Sequence, residues 1–250
     1  FGAIQNNEVD PGAVETLTIS YNAIVSNDDG TNVFRGNVLT NTAQVQVNGA
    51  NSGPATTMDV TVVEPNLTIT KSDGGVTSAD AGDVISYTLT VTADNVANAT
   101  TAFDLSITDS VPAELEIVGG TLAFAGLPGY VASSSVNAVG QDITALVSEL
   151  RPGDTFDIVF DARVRDTGGS IILADEDILN TVDLDYSSLP GDGTDDGVGE
   201  NTTGTEAGTP GDTDGEREYT GNSSDGFTTP SPTVTKVLET GGDTTFTIGE

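Results

Sequence analysis

Leu67-Thr68-Ile69-Thr70-Lys71 is the stretch on which the fold turns. Leu67, Ile69 and Lys71 fall on one parity, Thr68 and Thr70 on the other. A period of two describes a strand with one dry and one wet face. The stretch returns as Pro232-Thr233-Val234-Thr235-Lys236, and these two lysines are the only ones among the 250 residues. So scarce a residue, kept at one place in a repeating pattern, marks the opening strand of a repeat unit. Both lysines project with the apolar residues, Lys71 with Leu67 and Ile69, Lys236 with Val234.

The alternation extends outward from there. Ile85, Tyr87, Leu89 and Val91 alternate with Ser86, Thr88 and Thr90. Phe103, Leu105 and Ile107 alternate with Asp104, Ser106 and Thr108. Phe156, Ile158, Phe160, Ala162 and Val164 make one face, and Asp157, Asp161, Arg163 and Arg165 the other. Ile178, Val182, Leu184 and Tyr186 form a further inward row. Thr and Val favour strands, while Gly, Asp, Asn and Ser favour the turns between them. The expected class is all-β, an antiparallel sandwich with a dry interior. Residues 110–150 are less regular: short strands are expected at Glu114–Val118, Thr121–Phe124 and Asp142–Val147, with a helical turn as the alternative over Asp142–Leu150.

An internal repeat is legible without gaps. Glu15–Val25 aligns with Asp154–Val164, and Leu39–Val45 with Ile178–Leu184, both at an offset of 139 (154 − 15 and 178 − 39). The expected organisation is therefore tandem. Residues 1–65 are the C-terminal half of one sandwich repeat, 66–231 a complete repeat and 232–250 the first strands of the next. The complete repeat carries a Gly-rich acidic insertion at about 189–226.

Composition narrows the function. Seven Lys and Arg stand against 39 Asp and Glu, a formal charge of −32. Nucleic acid is excluded as a partner, since phosphate binding needs a basic patch. Anionic membrane surfaces are repelled likewise, and no apolar run approaches membrane-spanning length. There is no cysteine and no histidine, which removes disulfides, zinc-thiolate sites and the usual histidine chemistry. No targeting segment is evident, and the chain reads as a piece of a longer one. An acidic surface suits a secreted protein in salty, calcium-bearing water, or serves solubility alone.

Three polar residues share the dry parity within the complete repeat. Lys71 points inward, Asn180 follows Ile178 and Val182, and Asp109 follows Leu105 and Ile107. Burying one such group alone costs about 2–7 kcal/mol, and a charge costs more. Together they satisfy one another, and they can react. Desolvation lowers a lysine pKa to give a nucleophilic amine and raises that of an aspartic acid. The protonated acid polarises the Asn carboxamide, ammonia leaves, and a Lys71–Asn180 isopeptide crosslink remains, with Asp109 as its acid. This is a single self-directed turnover; no enzyme acting on other molecules is expected. The plainer readings are an edge-strand lysine that snorkels to solvent, a turn-capping Asp109 and an Asn180 bonded to loop backbone. In the flanking repeats the equivalents are Asn41, which shares parity with Leu39, Ala43 and Val45, and Lys236.

Several runs carry a family resemblance. They are Leu67–Lys71, Ala81-Gly-Asp-Val-Ile-Ser-Tyr-Thr-Leu-Thr-Val91, Leu105-Ser-Ile-Thr-Asp-Ser-Val-Pro-Ala-Glu-Leu115, Arg151-Pro-Gly-Asp-Thr155 and Leu179-Asn-Thr-Val182. In this order they resemble the conserved-repeat domain of bacterial surface proteins. Tyr186–Asp192 and Gly215–Glu218 resemble the isopeptide-forming fimbrial and adhesin repeats more narrowly. The resemblance implies immunoglobulin-like stalk domains on long secreted adhesins or fibres, with the crosslinking lysine, asparagine and acid on Lys71, Asn180 and Asp109. The long acidic insertion and the scarcity of basic residues depart from that pattern.

The expected function is thus a structural stalk segment of an extracellular bacterial adhesin or surface fibre. Its partners are neighbouring repeats of the same chain or like subunits, and any glycan or host target is recognised elsewhere in the parent protein. The alternatives are a strand-exchanged filament subunit and a glycan-binding sandwich module. The latter lacks an aromatic platform, with five Tyr and no Trp. Calcium is the expected cofactor, on Asp192, Asp195, Asp196, Asp212, Asp214 and Glu216, with Asn27, Asp28, Asp29 and Asn32 as a smaller oxygen-rich group. Flexible turns offering carboxylates suit this ion, although the spacing is not that of an EF-hand. The alternative is a solvated loop.

Overall fold

The computed structural model describes residues 18–22, 34–166, 172–190 and 218–232, and every element in them is a strand. The first four are short: β1 (Val38–Ala43), β2 (Gln46–Val47), β3 (Ala50–Asn51) and β4 (Thr56–Thr61). The sandwich follows, with β5 (Leu67–Ser72), β6 (Val84–Ala93), β7 (Ala102–Ser110), β8 (Leu115–Ile117) and β9 (Ala123–Ala125). Its later strands are β10 (Ser134–Val139), β11 (Asp142–Leu150), β12 (Thr155–Val164), β13 (Asp177–Ser187) and β14 (Glu218–Thr228). One sheet runs β10-β11-β7-β13-β14. The other runs β5-β6-β12-β8, with β9 also on β12. All these pairings are antiparallel. The chain is an all-β, immunoglobulin-like sandwich of the expected class.

The alternation of the sequence becomes the core. Ile85, Tyr87, Leu89 and Val91 of β6 face Phe156, Ile158, Phe160 and Ala162 of β12, all buried. From the other sheet come Leu105 and Ile107, Ile143, Ala145 and Val147, and Val182 and Leu184. The outer faces carry Ser, Thr and Asp, paired across strands as Ser86–Asp161 (2.6 Å) and Thr90–Asp157 (2.7 Å).

The two sheets meet at one corner, and that corner builds the site. Edge strand β5 lies along edge strand β14 without a continuous ladder. Instead, Lys71 N donates to Ser223 Oγ (3.0 Å), Asp73 N to Asp225 Oδ2 (2.9 Å) and Leu67 N to Tyr186 Oη (3.1 Å). The Gly221 backbone sits close under Ile69, since a Cβ there would lie 3.8 Å from Ile69 Cγ2.

Four details differ from the sequence expectation. Phe103 is half-buried rather than inward, and Ala102 takes the buried place. Asp104 has φ +51, and the β7–β13 pairing gains one residue on β7 there, a bulge that flips the parity of what precedes it. The facing strand switches parity with it, so Leu150 is buried opposite Ala102. Asp142–Leu150 is strand β11 throughout, because its apolar residues need the period of two to face the core. The insertion expected at about 189–226 is shorter at its C-terminal end, because residues 218–226 belong to β14 and pair with β13 along its whole length. The fourth is Asn41, exposed on β1 although parity places it inward. Strands β1 and β4 form a two-stranded sheet, and on the face of Asn41 the apolar Met58 and Val60 stay exposed, with no second sheet packed on it among the described residues. The β1–β4 hairpin sets Asn41 opposite Met58 as β13–β14 sets Asn180 opposite Asp225.

Candidate functional site

Lys71, the fifth residue of β5, sits where the core closes over the β5–β14 corner. Its amine donates to Asp109 Oδ2 on β7, in the opposite sheet, and neither side chain has any solvent exposure. Its Nζ also lies 5.2 Å from the centre of the Tyr87 ring and 5.8 Å from that of Phe160. These two rings are stacked, with centroids 5.2 Å apart. The aromatic faces offer the ammonium partial compensation for lost water.

Asn180 completes the group. It lies on β13 between β7 and β14, with Asp225 directly opposite it and Asp109 opposite the next inward residue, Val182. Its exposure is 0 %. None of Asn180 Nδ2, Asn180 Oδ1 and Asp109 Oδ1 makes a well-formed hydrogen bond, although the Asn180 amide lies near enough to the Asp109 carboxyl to act on it. Leaving a buried polar atom unsatisfied costs about 1–3 kcal/mol. An amide and a carboxyl oxygen left so together, beside a lysine, make a costly arrangement for a resting core.

Electrostatics push the pair toward its uncharged form. Burial lowers the Lys71 pKa from 10.5, and the charges of Asp109 and Asp225 oppose that only in part. Burial raises the Asp109 pKa from 3.8, against the pull of Lys71 and Asn180 and with a further push from Asp183. An amine and a carboxylic acid are the forms needed for attack on an amide carbonyl. Burial likewise raises the Tyr87 phenol far above its usual range, so it stays protonated.

The structure thus brings Lys71, Asp109 and Asn180 into one buried cluster. Asn41 is exposed, with its Nδ2 donating to Tyr21 Oη. Lys236 and the expected calcium ligands Asp192, Asp195, Asp196, Asp212, Asp214 and Glu216 lie outside the described residues, as do Asn27, Asp28, Asp29 and Asn32. Among the described residues no group of three or more acidic side chains is placed to hold a metal ion. No helix among them is long and apolar enough to cross a membrane.

Sequence reasoning missed Asp73 and Asp225. Asp73 continues the inward parity of Lys71 past the end of β5, a signal that was present. Asp225 was hidden in the acidic stretch, and only the β13–β14 register sets it beside Asn180.

No family model and no curated protein matches this chain. Among solved structures it resembles the major pilin subunit BcpA of Bacillus cereus (14% identity, TM-score 0.40), covering 67% of this chain and 41% of that one. The pilus backbone protein RrgB of Streptococcus pneumoniae matches at 17% identity and TM-score 0.40, over 50% and 54% of the two chains. A non-cellulosomal cohesin from Archaeoglobus fulgidus matches at 15% identity and TM-score 0.36, over 66% and 91%. The chain therefore spans about two-fifths of BcpA. These are likenesses of strand arrangement at low identity.

Proposed function

We propose that the sandwich is a stalk domain of an extracellular bacterial fibre or adhesin, clamped by a Lys71 Nζ–Asn180 Cγ isopeptide bond that it forms itself. The observation that carries this reading is the buried cluster of an amine paired with a carboxyl, beside an amide that makes no well-formed hydrogen bond. A chain without cysteine gains from such a bond what a disulfide gives elsewhere. Asp109 takes a proton from the Lys71 ammonium, and the free amine attacks Asn180 Cγ while the protonated acid polarises the carbonyl. The tetrahedral intermediate collapses as Asp109 gives its proton to the departing nitrogen, takes the second proton from Lys71 Nζ and passes that on as well, so that the nitrogen leaves as ammonium. Asp109 ends as it began, and the dry core keeps water from competing for the carbonyl.

The role that follows is mechanical. The crosslink ties the opening strand to the penultimate one, and the partners of such a domain are like domains before and after it. Intact mass tests the reading. The folded protein should be about 17 Da lighter than its sequence, the mass of one ammonia. An unshifted mass in folded protein sinks the covalent reading. Calcium on the carboxylates between Asp192 and Glu216 is a separate proposal from composition; a chelator should then lower the melting temperature, and an unmoved melt rejects a structural ion.

A further inference from the structure

The ligation leaves one problem unsolved. Ammonia is expelled at Asn180, which has no solvent exposure. Held beside the new amide, it can attack and restore the starting state. Something must draw it out.

Asn180 has a strand neighbour that lines an open cleft. Asp225 is its directly opposed neighbour on β14, and such partners sit about 4.5–5.5 Å apart at Cβ on the same sheet face. Asp225 Oδ2 accepts from Asp73 N at 2.9 Å. Asp73 is itself only 3 % exposed. Its Oδ1 accepts from Gly75 N (2.9 Å) and Val76 N (3.0 Å), which leaves Oδ2 buried with no partner. Both carboxyls line an open cleft of about 590 Å³, together with Gly75, Asp177, Phe227 and Thr228. The ligation as proposed has no use for either acid, and the two carboxyls face each other, Asp225 helping burial to raise the Asp73 pKa.

We propose that Asp225, with Asp73, is the exit for the nitrogen expelled from Asn180, binding it as ammonium and passing it to the cleft. This rests on the ligation proposed above. Lys71 Nζ starts with three protons and keeps one; the Asn180 Cγ–Nδ2 bond breaks with its electron pair on nitrogen. The two protons lost by Lys71 reach that nitrogen through Asp109, so the leaving group is ammonium. A cation departing a dry core needs negative charge along its path; burial and Asp225 push the Asp73 pKa up, so the two facing carboxyls hold the cation by the charge they share rather than as two separate anions. Removing the product commits the reaction. Besides Asp73 and Asp225, which act on each other, the titratable groups facing this path are Lys71, Tyr87, Asp109 and Asp177.

The test follows the loss of about 17 Da after a short pulse of cell-free synthesis and dilution into neutral or alkaline buffer, in wild type, Asp225→Asn, Asp225→Glu and Asp73→Asn. At neutral pH Asp225→Asn should react roughly tenfold more slowly, Asp73→Asn should be slowed less, and Asp225→Glu should recover most of the rate. The gap between wild type and Asp225→Asn should narrow in alkaline solution, where the nitrogen leaves as neutral ammonia and needs no carboxylate. A purely structural defect would slow the variant equally at both pH values. Wild-type kinetics in Asp225→Asn, or a slowing independent of pH, overturns the exit. No mass loss in wild type overturns the ligation itself, and the exit with it.

Discussion

Replacing Asp109 by Asn removes the acid while keeping its shape, so the chain should fold with Lys71 and Asn180 unjoined. The size of the effect follows from the loop that the bond would close. Residues 71 and 180 are 109 apart (180 − 71). Closing a loop of that length constrains the unfolded chain by about 4.8 kcal/mol in the chain-entropy treatment used for disulfides. For a domain of this size each kcal/mol moves the melting temperature by about 2–4 °C, so the bond alone corresponds to roughly 10–20 °C. The substitution also takes the carboxyl from a buried lysine, which destabilises in the same direction. A double-mutant cycle separates the two terms. In an Asn180→Ala background no bond can form, so Asp109→Asn there reports only the lost pair. The difference between the two Asp109→Asn steps, measured by chemical or thermal unfolding with circular dichroism, should be about 5 kcal/mol. A difference below about 1 kcal/mol, or a wild-type mass equal to its sequence mass, would refute the reasoning.

Under force, the crosslink should shield residues 72–179, so single-molecule extension of wild type should fall short of Asp109→Asn by about 380 Å at ~3.5 Å per residue; equal contour lengths would count against a clamp. In Asn180→Ala the Lys71 amine stays free with its pKa held below 10.5 by burial. The unfolded state then binds more protons between that lowered value and 10.5, so stability should climb with pH through this window and be lost as pH falls through the lowered value. Wild type, its amine consumed, should lack that rise relative to the variant, and parallel pH–stability curves would show an unreacted lysine. Gly226→Ala should cost several kcal/mol, of order 3 or more, because the new Cβ would lie 2.2 Å from the Ile178 carbonyl oxygen. A melting temperature within a few degrees of wild type would mean that β13 and β14 separate more easily than their continuous pairing implies.

Much of this sandwich was legible because burial on a sheet has a period of two. Once Ile85–Val91, Phe156–Val164 and Ile178–Tyr186 each showed a dry parity, the core and the inward direction of Lys71, Asp109 and Asn180 followed from counting. The same rule failed at Phe103. The Asp104 bulge adds a residue to β7 relative to β13, and because Phe103, Leu105 and Ile107 keep an unbroken apolar alternation across it, that strand's sequence does not reveal the change of parity. It failed differently at Asn41. Parity assigns a face but cannot say whether another sheet covers it, and among the described residues β1 and β4 form a two-stranded sheet of their own.

By itself, then, the sequence determined the strand class, the repeat offset and the identity of three polar residues on the dry side. Those are local properties, fixed by which side chains alternate along each strand. Only the tertiary structure decided that Lys71 meets Asp109 across the two sheets, that Asn180 is buried beside that pair, and that Asp225, its neighbour on β14, lines an open cleft with Asp73. These depend on register and on the β5–β14 corner, where residues about 150 positions apart are set side by side by backbone-to-side-chain bonds such as Lys71 N to Ser223 Oγ. Register is a property of strand pairs, and no single strand carries it.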